Sequence, residues 1–176
     1  MNKKTKWITE TAVMIALLVV LQAVTKSFGQ FVTGSCVNFV LATAALIGGL
    51  SCGLTVAIVS PFFAFLLGIG PAFLPIVPGV SAGNAVLILL LWLLLGKKGP
   101  GIGTGTKVAA VAVAAVCKFL VLFSLIVKII LPMLSLNEKQ IGVLSASFSW
   151  PQLVTALIGS TLAVLLWPRL SRAIRK

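Results

Sequence analysis

The stretch VAAVAVAAVCKFLVLFSLIVKIIL, residues 108–131, carries two lysines, Lys118 and Lys128, inside an apolar run long enough to cross a bilayer. Spanning the hydrocarbon core takes about 20 apolar residues, and a lysine near the middle of such a helix costs about 2.5 to 3.5 kcal/mol on insertion scales. A helix that bears this cost twice is expected to face a polar cavity in which the ammonium groups are compensated. The competing structural role is that Lys128 snorkels to the headgroups and Lys118 meets backbone carbonyls at a helix contact.

The rest of the chain fits a membrane setting. Of its 176 residues, 60% are hydrophobic and 9% charged, and the mean hydropathy is +1.20. A soluble domain would carry about 25% charged residues. The chain is therefore expected to be one integral membrane domain, residues 1–176, of all-α class. Six transmembrane helices in one bundle are expected at about 7–24, 37–50, 53–69, 81–95, 108–131 and 149–167. The cluster Gly48, Gly49, Ser51, Cys52 and Gly53 divides the second span from the third, and Pro61 should kink the third. Residues 26–36 and 132–148 read as polar loops, and residues 70–79, with Pro71, Pro75 and Pro78, as an apolar, non-helical connection.

A net charge of +12 would also suit a nucleic-acid partner, but most of the basic residues flank apolar spans and form no patch interleaved with exposed aromatics, so none is expected. Topology accounts for them better. Six spans place Lys3, Lys4, Lys6, Lys97, Lys98, Lys107, Arg169, Arg172, Arg175 and Lys176 on the side of the termini, and only Lys26 and Lys139 on the other. By the positive-inside rule both termini are cytoplasmic, in a multi-pass protein of a bacterial plasma membrane. The three cysteines show no metal-ligand spacing, and the alternating glycines at 99–105 lack the spacing of a phosphate loop. No metal, cofactor or catalytic residue is expected.

With direction fixed, the rise of about 1.5 Å per residue places polar side chains by depth. Asn38, Asn84, Lys128 and Gln152 fall at the outer ends of four different spans, with Ser124 one turn below Lys128 and Lys118 about 15 Å deeper along the axis. Lys118, Lys128, Asn84, Gln152, Asn38, Ser124 and Trp150 are thus the candidate substrate-binding residues, with Phe28 and Gln30 weaker candidates. A buried ammonium is best compensated by a carboxylate or phosphate, which favours a small anionic ligand.

On the first span, Ala12 and Ala16 are small residues one turn apart that let another helix approach closely. With a chain of this size, six spans, cytoplasmic ends and outward loops over a polar pocket, the sequence resembles the substrate-binding S component of an energy-coupling factor (ECF) vitamin transporter. The resemblance implies capture of a vitamin or related micronutrient from outside. It also implies docking of Ala12 and Ala16 onto a transmembrane T component, and two cytoplasmic ATPases that hydrolyse ATP on its behalf.

Two other functions compete. A stand-alone secondary transporter or channel would normally use intramembrane carboxylates, and neither Glu10 nor Glu138 is mid-membrane. An intramembrane enzyme would be left with a Ser-Lys arrangement such as Ser124 with Lys128 or Lys118, a spacing that chance supplies readily.

Overall fold

The computed structural model describes residues 2–70 and 72–174, and these form helices and connecting turns without a strand. Six helices are long and apolar enough to cross a membrane, as in a multi-pass membrane protein. They are α1 (Lys3–Thr25), α2 (Gln30–Ile47), α3 (Gly49–Leu66), α4 (Ile76–Gly96), α5 (Thr104–Met133) and α7 (Trp150–Ile174). A shorter helix, α6 (Glu138–Ser147), precedes the last. Pro71, Arg175 and Lys176, to which the sequence assigned a connection and a basic terminus, lie outside the described residues.

Side chains dictate how these helices pack. The α2–α3 hairpin turns at Gly48 and Gly49, where Gly49 adopts φ +83°, a conformation that costs a residue with a Cβ. Pro61 withholds one helical hydrogen bond inside α3, and Ser81 of α4 donates to the carbonyl of Ile58 beside it, 3.0 Å away. The most extensive helix pair is α2 with α7. Gly159 makes it possible: a Cβ there would meet Asn38 Cβ and the Phe39 nitrogen at 2.7 Å, so only hydrogen lets the two backbones come this close.

Alanines serve the same purpose elsewhere. Ala42, Ala110, Ala114, Ala156 and Ala163 pack with Leu91, Leu95 and Trp167 into a core shared by α2, α4, α5 and α7. A second core joins α1, α2 and α3 through Leu18, Leu41, Val56 and their neighbours, and a third joins α4, α5 and α6 through Ile76, Leu122, Ile126 and Leu144, with Phe148 just past the end of α6. Large apolar side chains such as Val13, Val20, Leu66 and Leu165 point outward, as lipid-facing residues do.

Several helix ends depart from the expected spans. Helix α2 begins at Gln30, seven residues before the expected position, so Thr33, Gly34, Ser35 and Cys36 are helical. Packing against α7 overrides the weak helix propensity of this polar run. Helix α4 begins at Ile76, five residues early, with Pro78 in its first turn, where a missing N–H loses nothing because that group has no helical partner. The segment 132–148, read as a loop, contains α6, whose start is fixed by a reciprocal capping box between Asn137 and Gln140.

One end of the bundle is tied across its turns. Lys26 Nζ donates to the Gly68 carbonyl at 2.8 Å, and Gln30 Nε2 donates to the Ser147 carbonyl at 2.5 Å. At the opposite end, Lys6 and Glu10 of α1 share a recess with Ile47, Gly96, Pro100, Trp167 and Ser171. The chain thus enters α1 and leaves α7 at the same end.

Candidate functional site

A cavity of about 370 Å³ opens at the tied end and descends between the helices to Lys118. Lys118 is 2% exposed. Its ammonium donates to Asn38 Oδ1 at 2.5 Å and to Asn84 Oδ1 at 2.7 Å. Three helices, α2, α4 and α5, therefore converge on one nitrogen.

The local sequence explains the convergence. Asn38 and Asn84 each lie eight residues from the start of their helices, about 12 Å along the axis. This is deeper than the later starts at Val37 and Ser81 implied, and it carries both asparagines to the level of Lys118 rather than Lys128. Asn38 is further oriented by its own amide nitrogen, which donates to the Gly34 carbonyl at 2.8 Å and to Thr155 Oγ1 of α7 at 3.3 Å. With Nδ2 committed to α2 and α7, Oδ1 must face the lysine. On α4, Gly83 sits beside Asn84 and makes room for Leu122 of α5, one turn beyond Lys118; a Cβ at Gly83 would meet Leu122 Cγ at 2.5 Å.

Lys118 has no carboxylate partner in this cavity, whose described lining includes neither acidic residue. Glu10 pairs with Lys6 at 3.7 Å in the other recess, and Glu138 stands exposed in the first turn of α6. Two of the three ammonium protons are held by neutral amide oxygens, which leaves the third for whatever enters. A buried charge without a counter-ion is costly, so the arrangement favours an anionic guest.

Above this floor the walls are largely apolar, with Val37, Pro61, Ala64, Ile69 and Val80, and Leu144 and Phe148 from the α6 region close the mouth. Gln30 and Gln152 line the rim, both donating to the Ser147 carbonyl, Gln152 at 3.2 Å. Apolar walls with a few polar anchors are the usual make-up of a small-molecule site, and the volume is at the small end of that range.

The sequence-predicted residues divide accordingly. Lys118, Asn38, Asn84 and Gln152 line the cavity, as does Gln30. Lys128, Ser124, Trp150 and Phe28 do not. Lys128 is exposed, its Nζ 5.5 Å from the Phe123 ring centroid, and Ser124 is exposed on the same helix. The physical reason is helical spacing: at about 100° per residue Ser124 and Lys128, six and ten residues beyond Lys118, stand about 120° and about 80° off its face, and the π-helical segment Phe123–Ile130 turns Lys128 further round. Trp150 is 61% exposed and packs on Phe31, with ring centroids 5.4 Å apart.

Among the lining residues that escaped the sequence reading are Gln22 of α1, Ser60 of α3 and Lys26 at the rim, along with Thr33 and Ser147. The first two are single uncharged polar residues in apolar spans, which hydropathy does not separate from their neighbours; Lys26 could have been found from its place in the connection after α1. Comparison with family models, with characterised proteins and with solved structures finds no match to this chain.

Proposed function

We propose that the protein is the substrate-capture subunit of an ECF-type importer, binding a vitamin or related micronutrient with an anionic or carboxylate group from outside the cell. The observation that carries the reading is the cavity that ends on Lys118, an ammonium held by Asn38 and Asn84 with no acid beside it. Such a floor accepts an anion and rejects a cation.

Three further features support it. The cavity opens at the end of the bundle that carries Lys26 and Lys139, and Lys97, Lys98, Lys107, Arg169 and Arg172 belong to segments at the other end. The positive-inside rule then turns the mouth outward and the termini to the cytoplasm. Ala12 and Ala16 lie on the exposed face of α1, free of the bundle and available to a T component. Coupling to protons or sodium in a secondary transporter would call for carboxylates in the cavity, and both acids of the chain lie elsewhere.

Partner ATPases would supply the energy, and release inward would follow docking. Native mass spectrometry of protein purified gently from its own cells tests the reading. A bound small anion and an associated complex containing ATPases are expected. A protein that carries neither, and that supports solute uptake in cells lacking such ATPases, would contradict it.

A further inference from the structure

Most polar side chains around the cavity are already paired within the protein. Lys26 donates to Gly68, Gln30 and Gln152 to Ser147, and Thr33 Oγ1 to the Thr25 carbonyl at 2.8 Å, while Asn38 is bonded through both ends of its amide. Two lining side chains differ. Gln22 Oε1 and Ser60 Oγ are buried and have no hydrogen-bond partner among the described residues. Gln22 is 8% and Ser60 1% exposed, so bulk water does not satisfy them.

Buried polar atoms are normally paired; Thr11, Ser35, Thr43 and Ser160 also carry buried hydroxyls unpaired among the described residues but line neither recess, whereas Gln22 and Ser60 stand in the cavity wall, where a guest can supply the partner. Gln22 belongs to α1 and Ser60 to α3, two helices packed on each other, whereas Lys118 and its asparagines belong to α5, α2 and α4. The cavity therefore has polar groups on two sets of helices, with the apolar side chains of Val37, Pro61, Ala64 and Val80 also lining it. One set presents a cation, and the other an unsatisfied acceptor oxygen and an unpaired hydroxyl.

We infer that Gln22 and Ser60 form a second recognition station, and that the ligand is a small anion that also carries an uncharged hydrogen-bond donor, a hydroxyl, amide or ring N–H, on an apolar frame. The anionic group meets Lys118, and the donor is accepted by Gln22 Oε1, with Ser60 completing the contact. A simple fatty acid or an inorganic anion would leave Gln22 unpaired and is discriminated against, because a site built to hydrogen-bond a group rejects an analogue that lacks it. This rests on the reading of the cavity as a solute site.

The probe is a total metabolite extract of the expressing cells, incubated with detergent-purified protein and washed. Retained molecules are identified by exact mass and by the number of hydrogens they exchange for deuterium. An anion is expected whose retention requires Lys118 and which exchanges at least one hydrogen besides those of its acid group. Gln22→Met should retain it at least about tenfold less than the wild type, the loss expected for one unpaired buried group. Ser60→Ala serves as the milder variant if Gln22→Met fails to fold by circular dichroism. A Lys118-dependent anion with no such hydrogen, or one retained equally by the second-station variant, overturns this inference alone. If no molecule is retained in a Lys118-dependent way, the proposed function fails and this inference falls with it.

Discussion

Replacing Lys118 by methionine removes the ammonium while keeping an unbranched chain of similar reach. In the wild type that group is bonded to Asn38 and Asn84 and has one proton left for a guest anion. Truncating one partner of a buried, hydrogen-bonded charge pair costs about 2 to 5 kcal/mol. At about 1.4 kcal/mol per tenfold, affinity for the anion should fall about 30- to 4,000-fold. Folding responds differently. Two amide oxygens lose their donor, at about 1 to 3 kcal/mol each, but the protein no longer buries a charge without a counter-ion, which relieves a penalty of several kcal/mol. These terms oppose, so the melting temperature of the unliganded protein should change little. The assay is ligand retention by the purified variant beside its thermal unfolding in the same detergent. A folded Lys118→Met protein that keeps its ligand at the wild-type level would refute the reasoning.

Other perturbations separate the remaining elements. Gly159→Leu should disrupt the α2–α7 contact, because even its Cβ would press on Asn38 and the α2 backbone. A loss of about 1 to 3 kcal/mol in stability, together with lost ligand retention, should appear in thermal unfolding. Lys128→Ala should leave retention within about twofold of wild type, since that amine is exposed and lies over Phe123 rather than in the cavity. Ala12→Trp should abolish uptake by cells while sparing retention by the purified protein, as bulk on the exposed α1 face blocks docking of a partner helix. In a cysteine-free background, a cysteine at Asn137 should react with a membrane-impermeant maleimide added to intact cells, and one at Gly101 should not.

The number of helices long and apolar enough to cross a membrane, and the place of Lys118 inside the bundle, were legible in the sequence, because sustained hydropathy and a charge within it are strong signals. The depth of the partners was not. Helices α2 and α4 run past their apolar cores into residues that read as loop: Thr33 to Cys36, which are stabilised by close packing on α7, and Pro78, which a first turn tolerates. Those few residues of extra helix move Asn38 and Asn84 from the level of Lys128 to that of Lys118. Ser124 and Lys128 stand off the face of Lys118 by helical spacing alone, which a reading by depth does not register, and the π-helical turns that carry Lys128 further round leave no trace in hydropathy. Helix α6 did leave one, in the Asn137–Gln140 capping pair, a signal that the polar character of the segment obscured. Gln22 and Ser60 are set apart only by the fold, which buries them in a cavity wall without partners.

The most direct measurement is an experimental structure of the protein purified with its bound solute. An anionic group within hydrogen-bond distance of Lys118 Nζ, where the amine already meets Asn38 and Asn84, is the predicted result. A solute seated elsewhere, with the amine still held by the two amides alone, would contradict the assignment of this cavity as the capture site.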